Sequence, residues 1–313
     1  MRVLITGKEG LVGSAVQRAV GDNDDFVFVG RMHDLTSPYA ASSMFRVVKP
    51  EAVIHTAAFV GGIGQQHAAP YDLVQQNLLM NCNVIEQCVK HKVKKLLAFS
   101  SVCAYPDLSE VHGATAKLDE DDMHELQPPA PNWHYGYAKR MVDVLIDGAM
   151  KQHGVTNWCS VIPVNIYGPN DNYRLGVCHV VPALIHKLYL ARKSGEPLKV
   201  WGTGSAIREF MFVDDLAKVL LRLLDLDEIP QRLIVSPSVP VTIQELVGEL
   251  VGSTPPGSGK IEWDSSKPDG QHARPTDTSL LKRLLPGIEW TPLRDGLRQS
   301  YEWFASSYPD VRM

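Results

Sequence analysis

The sequence predicts an α/β fold: a doubly wound parallel sheet covered by helices on both faces, with a smaller α/β lobe on its C-terminal side. Three observations carry this prediction. Short β-branched runs alternate with helical patterns through the first half of the chain, the apolar runs are continuous, and a glycine-rich turn follows the first run. Continuous apolar runs are typical of parallel strands that are buried on both faces.

The first half of the chain supplies the alternation. Strands are predicted at 3–6, 26–29, 52–58, 95–101 and 158–164, and the helices between them at 12–20, 42–48, 73–91 and 137–153. Beyond residue 165 the pattern loosens, with helices predicted at 181–193 and 214–225. Thr242 and Glu245 have the spacing of a capping box and predict one more helix start.

Composition limits the class of protein. The 313 residues are 44% hydrophobic and 21% charged, with a net charge of −4, which is ordinary for a globular protein and unsuited to tracking nucleic-acid phosphates. The 5 cysteines form no CxxC pair, and their odd number argues against a disulfide framework. The chain shows no signal-peptide pattern and no apolar run long enough for a bilayer. We expect a cytosolic protein without nucleic-acid, membrane or metal partners.

A glycine triplet, Gly7, Gly10 and Gly13, follows the first strand and opens the first helix. Glycine permits positive φ and a close approach to a ligand, and a helix N-terminus presents free N–H groups to a pyrophosphate. A plain tight turn would use the same residues. The position at the head of a βαβ unit, however, is typical of a Rossmann-like dinucleotide-binding domain.

The end of the second strand indicates which dinucleotide binds. Gly30 and Arg31 stand where an NAD site normally has an acidic residue. A guanidinium suits a 2′-phosphate, so NADP(H) is predicted, with a solvated arginine as the alternative. Asp34 comes too late for the ribose and is expected near the adenine.

Tyr135 and Lys139 are four residues apart, which places them on one helix face. An ammonium group nearby lowers the pKa of a phenol and makes it a better proton donor and acceptor near neutrality. The same spacing is common in ordinary surface pairs. Tyr137 has Met141 at this spacing, so the pattern selects Tyr135.

Together, the glycine loop and this pair resemble the extended, nucleotide-sugar-modifying branch of the short-chain dehydrogenase/reductase superfamily. In that branch a serine or threonine at the end of the preceding strand contacts the substrate carbonyl. Ser101 matches this position better than Ser100. Segments at 58–64, 161–173, 178–187, 200–215 and 266–271 narrow the resemblance to the GDP-L-fucose synthase family, epimerase/reductases that act on GDP-4-keto-6-deoxy-D-mannose.

This resemblance implies a division of chemical roles. A 4-ketone acidifies the hydrogens on C3 and C5, and inverting each carbon requires a proton-handling group on either side of the ring. The resemblance assigns the base to Cys103 and the acid to His179, and a thiol and an imidazole suit this work near neutral pH. Ser101 and Tyr135 would bind the ketone oxygen, with Lys139 supporting Tyr135. Taken alone, Cys103 would be read as an inert thiol.

The binding residues implied by the resemblance form two sets. The cofactor contacts are Gly7, Gly10, Leu11, Val12, Gly13, Arg31, Asp34, Leu35, Ala57, Ala58, Tyr135, Lys139, Pro163, Asn165 and His179. The substrate contacts are Ser101, Asn165, Lys187, Trp201, Arg208, Lys267 and Asp269, of which Lys187 and Arg208 would meet the diphosphate. A solvated turn explains Lys267 and Asp269 equally well.

The expected organisation follows. Residues 1–165, with 210–235 returning, would form the NADP-binding domain, and residues 166–209 and 236–313 the substrate-binding lobe. A homodimer through helices 73–91 and 137–153 is expected from the resemblance. Residues 107–134 depart from the family pattern and are expected near the sugar.

Two other functions remain open. A related 4-ketoreductase or 4-epimerase would share the fold, but Cys103 and His179 argue against it. A non-catalytic dinucleotide-sensing protein is the alternative of another class. The complete set of Ser101, Tyr135 and Lys139 argues against that reading.

Overall fold

The first half of the chain folds with the predicted alternation. The computed structural model describes residues 1–107, 113, 116–256, 260–267 and 273–313. The elements up to residue 163 are β1 (Val3–Thr6), α1 (Leu11–Val20), β2 (Phe26–Val29), α2 (Pro38–Val48), β3 (Ala52–His55), α3 (Ile63–Ala68), α4 (Pro70–Lys90), β4 (Lys95–Phe99), α5 (Trp133–His153) and β5 (Trp158–Pro163).

The second half is less regular. Its elements are β6 (Asn165–Tyr167), α6 (Val180–Ser194), β7 (Leu198–Trp201), β8 (Ile207–Phe212), α7 (Val213–Asp225), β9 (Arg232–Val235), β10 (Pro240–Thr242), α8 (Ile243–Ser253), β11 (Ile261–Asp264), α9 (Ser279–Leu284) and α10 (Leu293–Ser307). The predicted capping box opens α8: the Thr242 hydroxyl accepts the Glu245 N–H at 3.1 Å, and the Glu245 carboxylate accepts the Thr242 N–H at 2.7 Å.

The central sheet has the strand order β2-β1-β3-β4-β5-β9, and every neighbouring pair is parallel. The doubly wound α/β prediction is therefore confirmed. The chain runs outward from β1 to β2 and then returns to β3 on the other side of β1. This reversal leaves a crevice at the carboxyl ends of β1 and β3, where ligands bind in open α/β sheets.

Two apolar layers cover the two faces of this sheet. One layer joins α1 and α7 through residues such as Val16, Leu216 and Leu220. The other joins α2, α4 and α5 through Phe45, Val84 and Ile146 among others. Because both faces are covered, β1 and β3 are buried along their whole length, which accounts for the continuous apolar runs in the sequence.

Two smaller sheets, β10-β8-β6 and β11-β7, lie outside the central sheet. A separate apolar cluster that includes Tyr167, Phe212 and Phe304 joins them to α6, α8 and α10. Strand β9 pairs with β5 at the edge of the central sheet. Leu281 of α9 packs in the apolar cluster that joins α1 and α7.

Candidate active site

A cleft of about 480 Å³ runs along the carboxyl edge of the central sheet. Of the predicted site residues, it is lined by Gly7, Gly10, Leu11, Val12, Arg31, Asp34, Leu35, Ala57, Ala58, Ser101, Cys103, Tyr135, Pro163, Asn165 and His179. The fold thus gathers residues from seven separate parts of the chain around one cavity. Gly13 and Lys139 do not line the cleft and are buried beneath residues that do.

The glycine loop has the shape needed for close approach of a pyrophosphate. Gly7 has a φ of +79°, and a Cβ there would lie 2.8 Å from the hydroxyl oxygen of Thr56. A side chain on Gly13 would overlap the Gly7 carbonyl. Helix α1 starts after Gly10 without a side-chain cap, which leaves its first N–H groups free for an anion. These residues fit a dinucleotide.

Glu9 is a feature of this end of the cleft that the sequence interpretation missed. Its carboxylate accepts the backbone N–H of Arg31 at 3.2 Å and lies directly over Gly30, where a Cβ would overlap it. An acidic group therefore does lie at the end of β2, although it comes from the glycine loop. The available signal was a charged residue inside the glycine triplet.

The turn after β4 holds Ser101 and Cys103 in place. The Ser101 hydroxyl accepts the Cys103 N–H at 3.1 Å, and Arg140 donates to the Ala104 carbonyl at 2.9 and 2.5 Å. Ser100 is buried and donates to the Lys139 carbonyl at 3.0 Å. This geometry favours Ser101 over Ser100 as the ligand of a substrate carbonyl.

Tyr135 lies in the first turn of α5 and is only 7% exposed. Burial, and to a lesser degree Cys103, raises the pKa of its phenol. The expected lowering by Lys139 is wrong for this geometry: that ammonium donates to the Phe99 carbonyl at 2.9 Å and lies 5.9 Å from the Tyr135 ring centroid. Burial in turn lowers the pKa of Lys139 to about 8. At neutral pH the pair is therefore a protonated phenol beside an ammonium.

His179 is the N-cap of α6 and is open to the cleft. The protein around it still excludes much of the bulk solvent, and this desolvation lowers the pKa of its imidazole. A side chain on Gly62 would overlap the Cys178 carbonyl, so the 61–64 segment packs tightly behind His179. Burial raises the pKa of the neighbouring Cys178 thiol to about 12, in keeping with a structural role.

Three of the predicted nucleotide-binding residues meet away from the cleft wall. The ammonium groups of Lys187 and Lys267 lie 4.9 Å and 5.8 Å from the ring centroid of Trp201, which is 52% exposed. They form a positively charged aromatic surface, and Lys187 lies within electrostatic range of Cys178, which lines the cleft. Asp269 lies outside the described residues.

Arg274 is a second residue of this region that the sequence interpretation did not single out. One of its nitrogens donates to the Val102 carbonyl at 2.9 Å, while Nε and Nη2 are buried without a hydrogen-bond partner among the described residues. Burial lowers the pKa of Arg208, and the nearby charge of Arg274 lowers it further. Arg208 and Arg274 both lie within electrostatic range of Cys103, and Arg274 keeps donors without a partner among the described residues.

Buried Glu209 fixes this arrangement. Its carboxylate accepts the hydroxyl groups of Ser236 at 2.7 Å and Thr276 at 2.6 Å, and also the Thr276 backbone N–H at 3.2 Å. These bonds tie the strand of Arg208 to the segment of Arg274. A buried carboxylate with three donors is held more firmly than an isolated surface residue.

Two classes of site receive no support in the described part of the chain. No three His, Cys, Asp or Glu side chains are grouped there so that they could hold a metal ion. Nor does any helix of that part have the length and apolar character to span a membrane.

Comparisons with known proteins agree with this geometry. Residues 3–235 match the NAD dependent epimerase/dehydratase family. The chain is 37% identical to GDP-L-fucose synthase of Dictyostelium discoideum, over 99% of this chain and 97% of that protein. It is also 37% identical to GDP-L-fucose synthase 1 of Arabidopsis thaliana, over 97% of this chain and 93% of that protein.

A solved structure extends the likeness to three dimensions. The NADP-bound GDP-L-fucose synthetase of Naegleria fowleri superimposes with a TM-score of 0.86 at 29% identity, over 99% of this chain and 96% of that one. The chain therefore belongs to the NAD-dependent epimerase/dehydratase family and, within it, to the GDP-L-fucose synthases.

Proposed function

We propose that this enzyme converts GDP-4-keto-6-deoxy-D-mannose to GDP-L-fucose by inverting C3 and C5 and then reducing C4. The observation that carries the proposal is that Ser101, Cys103, Tyr135 and His179 line one cleft together with a dinucleotide-binding glycine loop. The names of the relatives and the NADP in the Naegleria structure support the same reaction.

NADP(H) is the cofactor. Gly7, Gly10 and the free N–H groups of α1 would hold its pyrophosphate, and the nicotinamide end would extend toward Tyr135 and His179. When bound, it supplies the hydride that reduces C4.

Epimerisation uses Cys103 as the base and His179 as the acid. The Cys103 thiolate removes the proton from C3 or C5, and the electron pair moves into the C4 carbonyl to give an enolate. Ser101 and Tyr135 stabilise that oxygen by hydrogen bonds. Because desolvation lowers the pKa of His179, its protonated form readily gives a proton back to the opposite face of the carbon.

Reduction needs a proton for the C4 oxygen. The raised pKa of Tyr135 keeps its phenol protonated, so the hydroxyl is present to donate when the carbonyl becomes an alkoxide. The phenolate that remains lies next to the Lys139 ammonium, which is charged below a pH of about 8.

The diphosphate would meet Arg208, Arg274 and Lys187. The unpartnered nitrogens of Arg274 offer a forked donor set for phosphate oxygens, and Lys187 adds a point charge. Trp201 is exposed and would stack on the guanine base.

The test is to supply GDP-4-keto-6-deoxy-D-mannose and NADPH, follow NADPH oxidation and identify the sugar by NMR. The proposal predicts GDP-L-fucose. A product reduced at C4 with C3 and C5 unchanged would instead establish a simple 4-ketoreductase, and no ketosugar-dependent oxidation would favour a non-catalytic protein.

We also propose a cytosolic homodimer. Helices α4 and α5 carry exposed apolar side chains, Leu79 and Val144, which suit an interface between copies of the chain. Light scattering at several protein concentrations tests this: a mass of one chain throughout would contradict it.

A further inference from the structure

Charges of opposite sign meet at the adenosine end of the cleft. The Glu9 carboxylate lies over Gly30 at the end of β2 and accepts the Arg31 N–H at 3.2 Å. Glu9, Gly30 and Arg31 all line the cleft. This is the position from which an acidic residue binds the ribose hydroxyls in NAD-binding Rossmann domains.

Arg312, next to the last residue of the chain, reaches the same cleft. Its backbone is fixed because its carbonyl accepts the Tyr173 N–H at 2.9 Å. Burial lowers the pKa of Arg312, the charge of Arg31 lowers it further, and Asp171 acts in the opposite direction. Arg31 and Arg312 therefore line the same cleft with charges of one sign, and Asp171, which also lines it, offsets part of that charge.

These charges have opposite preferences for the two dinucleotides. A 2′-phosphate is attracted by Arg31 and Arg312 and repelled by Glu9. Free ribose hydroxyls can donate to the Glu9 carboxylate and gain little from the arginines. The charges at the end of β2 therefore give neither NAD(H) nor NADP(H) a strong advantage in binding.

We propose that Glu9, Arg31 and Arg312 together set the dinucleotide specificity, so that the enzyme binds NAD(H) as well as NADP(H), with Glu9 limiting the preference for the phosphorylated form. The inference rests on the proposed function only in assuming that a dinucleotide occupies this cleft.

Calorimetric titration of the full chain with NADP⁺ and with NAD⁺ tests this without any sugar chemistry. Glu9→Gln should raise the ratio of the NAD⁺ to the NADP⁺ dissociation constant about tenfold, tightening NADP⁺ and weakening NAD⁺. Arg312→Met should lower that ratio about tenfold through weaker NADP⁺ binding alone, and Arg312→Lys should recover much of it. Glu289→Gln and Arg2→Met, both exposed and away from the cleft, are matched charge controls.

The outcomes separate the two levels of the argument. If both dinucleotides bind and the ratio in Glu9→Gln stays within about twofold of the parent, this inference fails while the proposed function stands. If Arg312→Met weakens the binding of NAD⁺ and NADP⁺ equally, Arg312 stabilises the fold and does not bind the 2′-phosphate, and its part in this inference fails. If neither dinucleotide binds the parent protein, both the inference and the proposed function are overturned.

Discussion

The two sides of the cleft are built in different ways. On the cofactor side, formed by the ends of β1, β2 and β4, the predicted residues Gly7, Arg31 and Ser101 each follow a strand within a few positions, and Tyr135 joins them from α5. The proposed sugar side comprises β6 and β8, of which Asn165 and Phe210 line the cleft, together with residues 273–278. There buried Glu209 links the segments of Arg208 and Arg274.

This difference predicts how each side responds to change. The cofactor side depends on local backbone geometry, so a substitution there should affect chemistry and leave the rest of the site intact. The sugar side depends on buried long-range bonds, so its binding function and its stability should change together.

The largest effect is expected on the cofactor side, from Tyr135→Phe. Without the phenolic proton, the rate of C4 reduction should fall by about 10²- to 10⁴-fold, because a positioned proton donor contributes on that scale. Stopped-flow measurement of NADPH oxidation gives the rate. Tyr137→Phe, two residues away and packed on Trp133, is the matched control and should retain the parent rate. Equal rates for both variants would remove Tyr135 from the mechanism.

A smaller effect on substrate binding is expected from Arg274→Met. Loss of the buried guanidinium should raise KM for the GDP-sugar by about 10- to 100-fold, since charged hydrogen bonds are worth about 1.5–3 kcal/mol. The dissociation constant for NADP⁺ should not change. Steady-state kinetics and calorimetry measure the two quantities, with exposed Arg283→Met as the control. An unchanged KM would mean that the unpartnered nitrogens do not serve the diphosphate.

Glu209→Gln tests the link between binding and stability on the sugar side. The amide keeps the shape but loses the charge that accepts three donors, so unfolding should require about 1–3 kcal/mol less free energy. KM for the GDP-sugar should rise several-fold because the Arg274 segment loosens. Denaturant unfolding and kinetics check both, against exposed Glu228→Gln. Lower stability with an unchanged KM would show that Glu209 stabilises the fold without affecting substrate binding.

The smallest effect is expected in the pH dependence of C4 reduction. Burial lowers the pKa of Lys139 to about 8, so its ammonium is present below that pH and is lost as the pH rises through it. The reduction rate should therefore decline with an apparent pKa near that value and be level on the acid side of it. A rate that stays constant or increases through this range would contradict the role of Lys139.

The same contrast explains how far the sequence could be read. Strand ends, the helix with Tyr135 and the capping box at Thr242 follow from local patterns, and the structure confirms these elements. The sequence around Arg274 has no periodic signal, and its position beside Arg208 depends on the buried bonds of Thr276. Glu9 was overlooked because its role depends on Gly30, a residue distant in sequence that leaves room for the carboxylate.

The predicted direction of the Tyr135 pKa shift is also wrong. The spacing to Lys139, four residues away, predicts a lowered pKa, while the depth at which the phenol is buried is not evident from the sequence. In the structure, burial raises the pKa of the Tyr135 phenol, and Cys103 raises it further. A sequence motif therefore does not reveal pKa shifts that depend on how deeply a group is buried in the folded molecule.

The central claim is that Cys103 removes the protons from C3 and C5 of a hexose in this cleft. The most direct test incubates the parent enzyme and Cys103→Ser with GDP-4-keto-6-deoxy-D-mannose and NADPH in D₂O and examines the sugar by NMR. The parent should give GDP-L-fucose with deuterium at C3 and C5, while Cys103→Ser should reduce the ketone without introducing deuterium at either carbon. Deuterium at both carbons in Cys103→Ser, at the parent rate, would contradict the account.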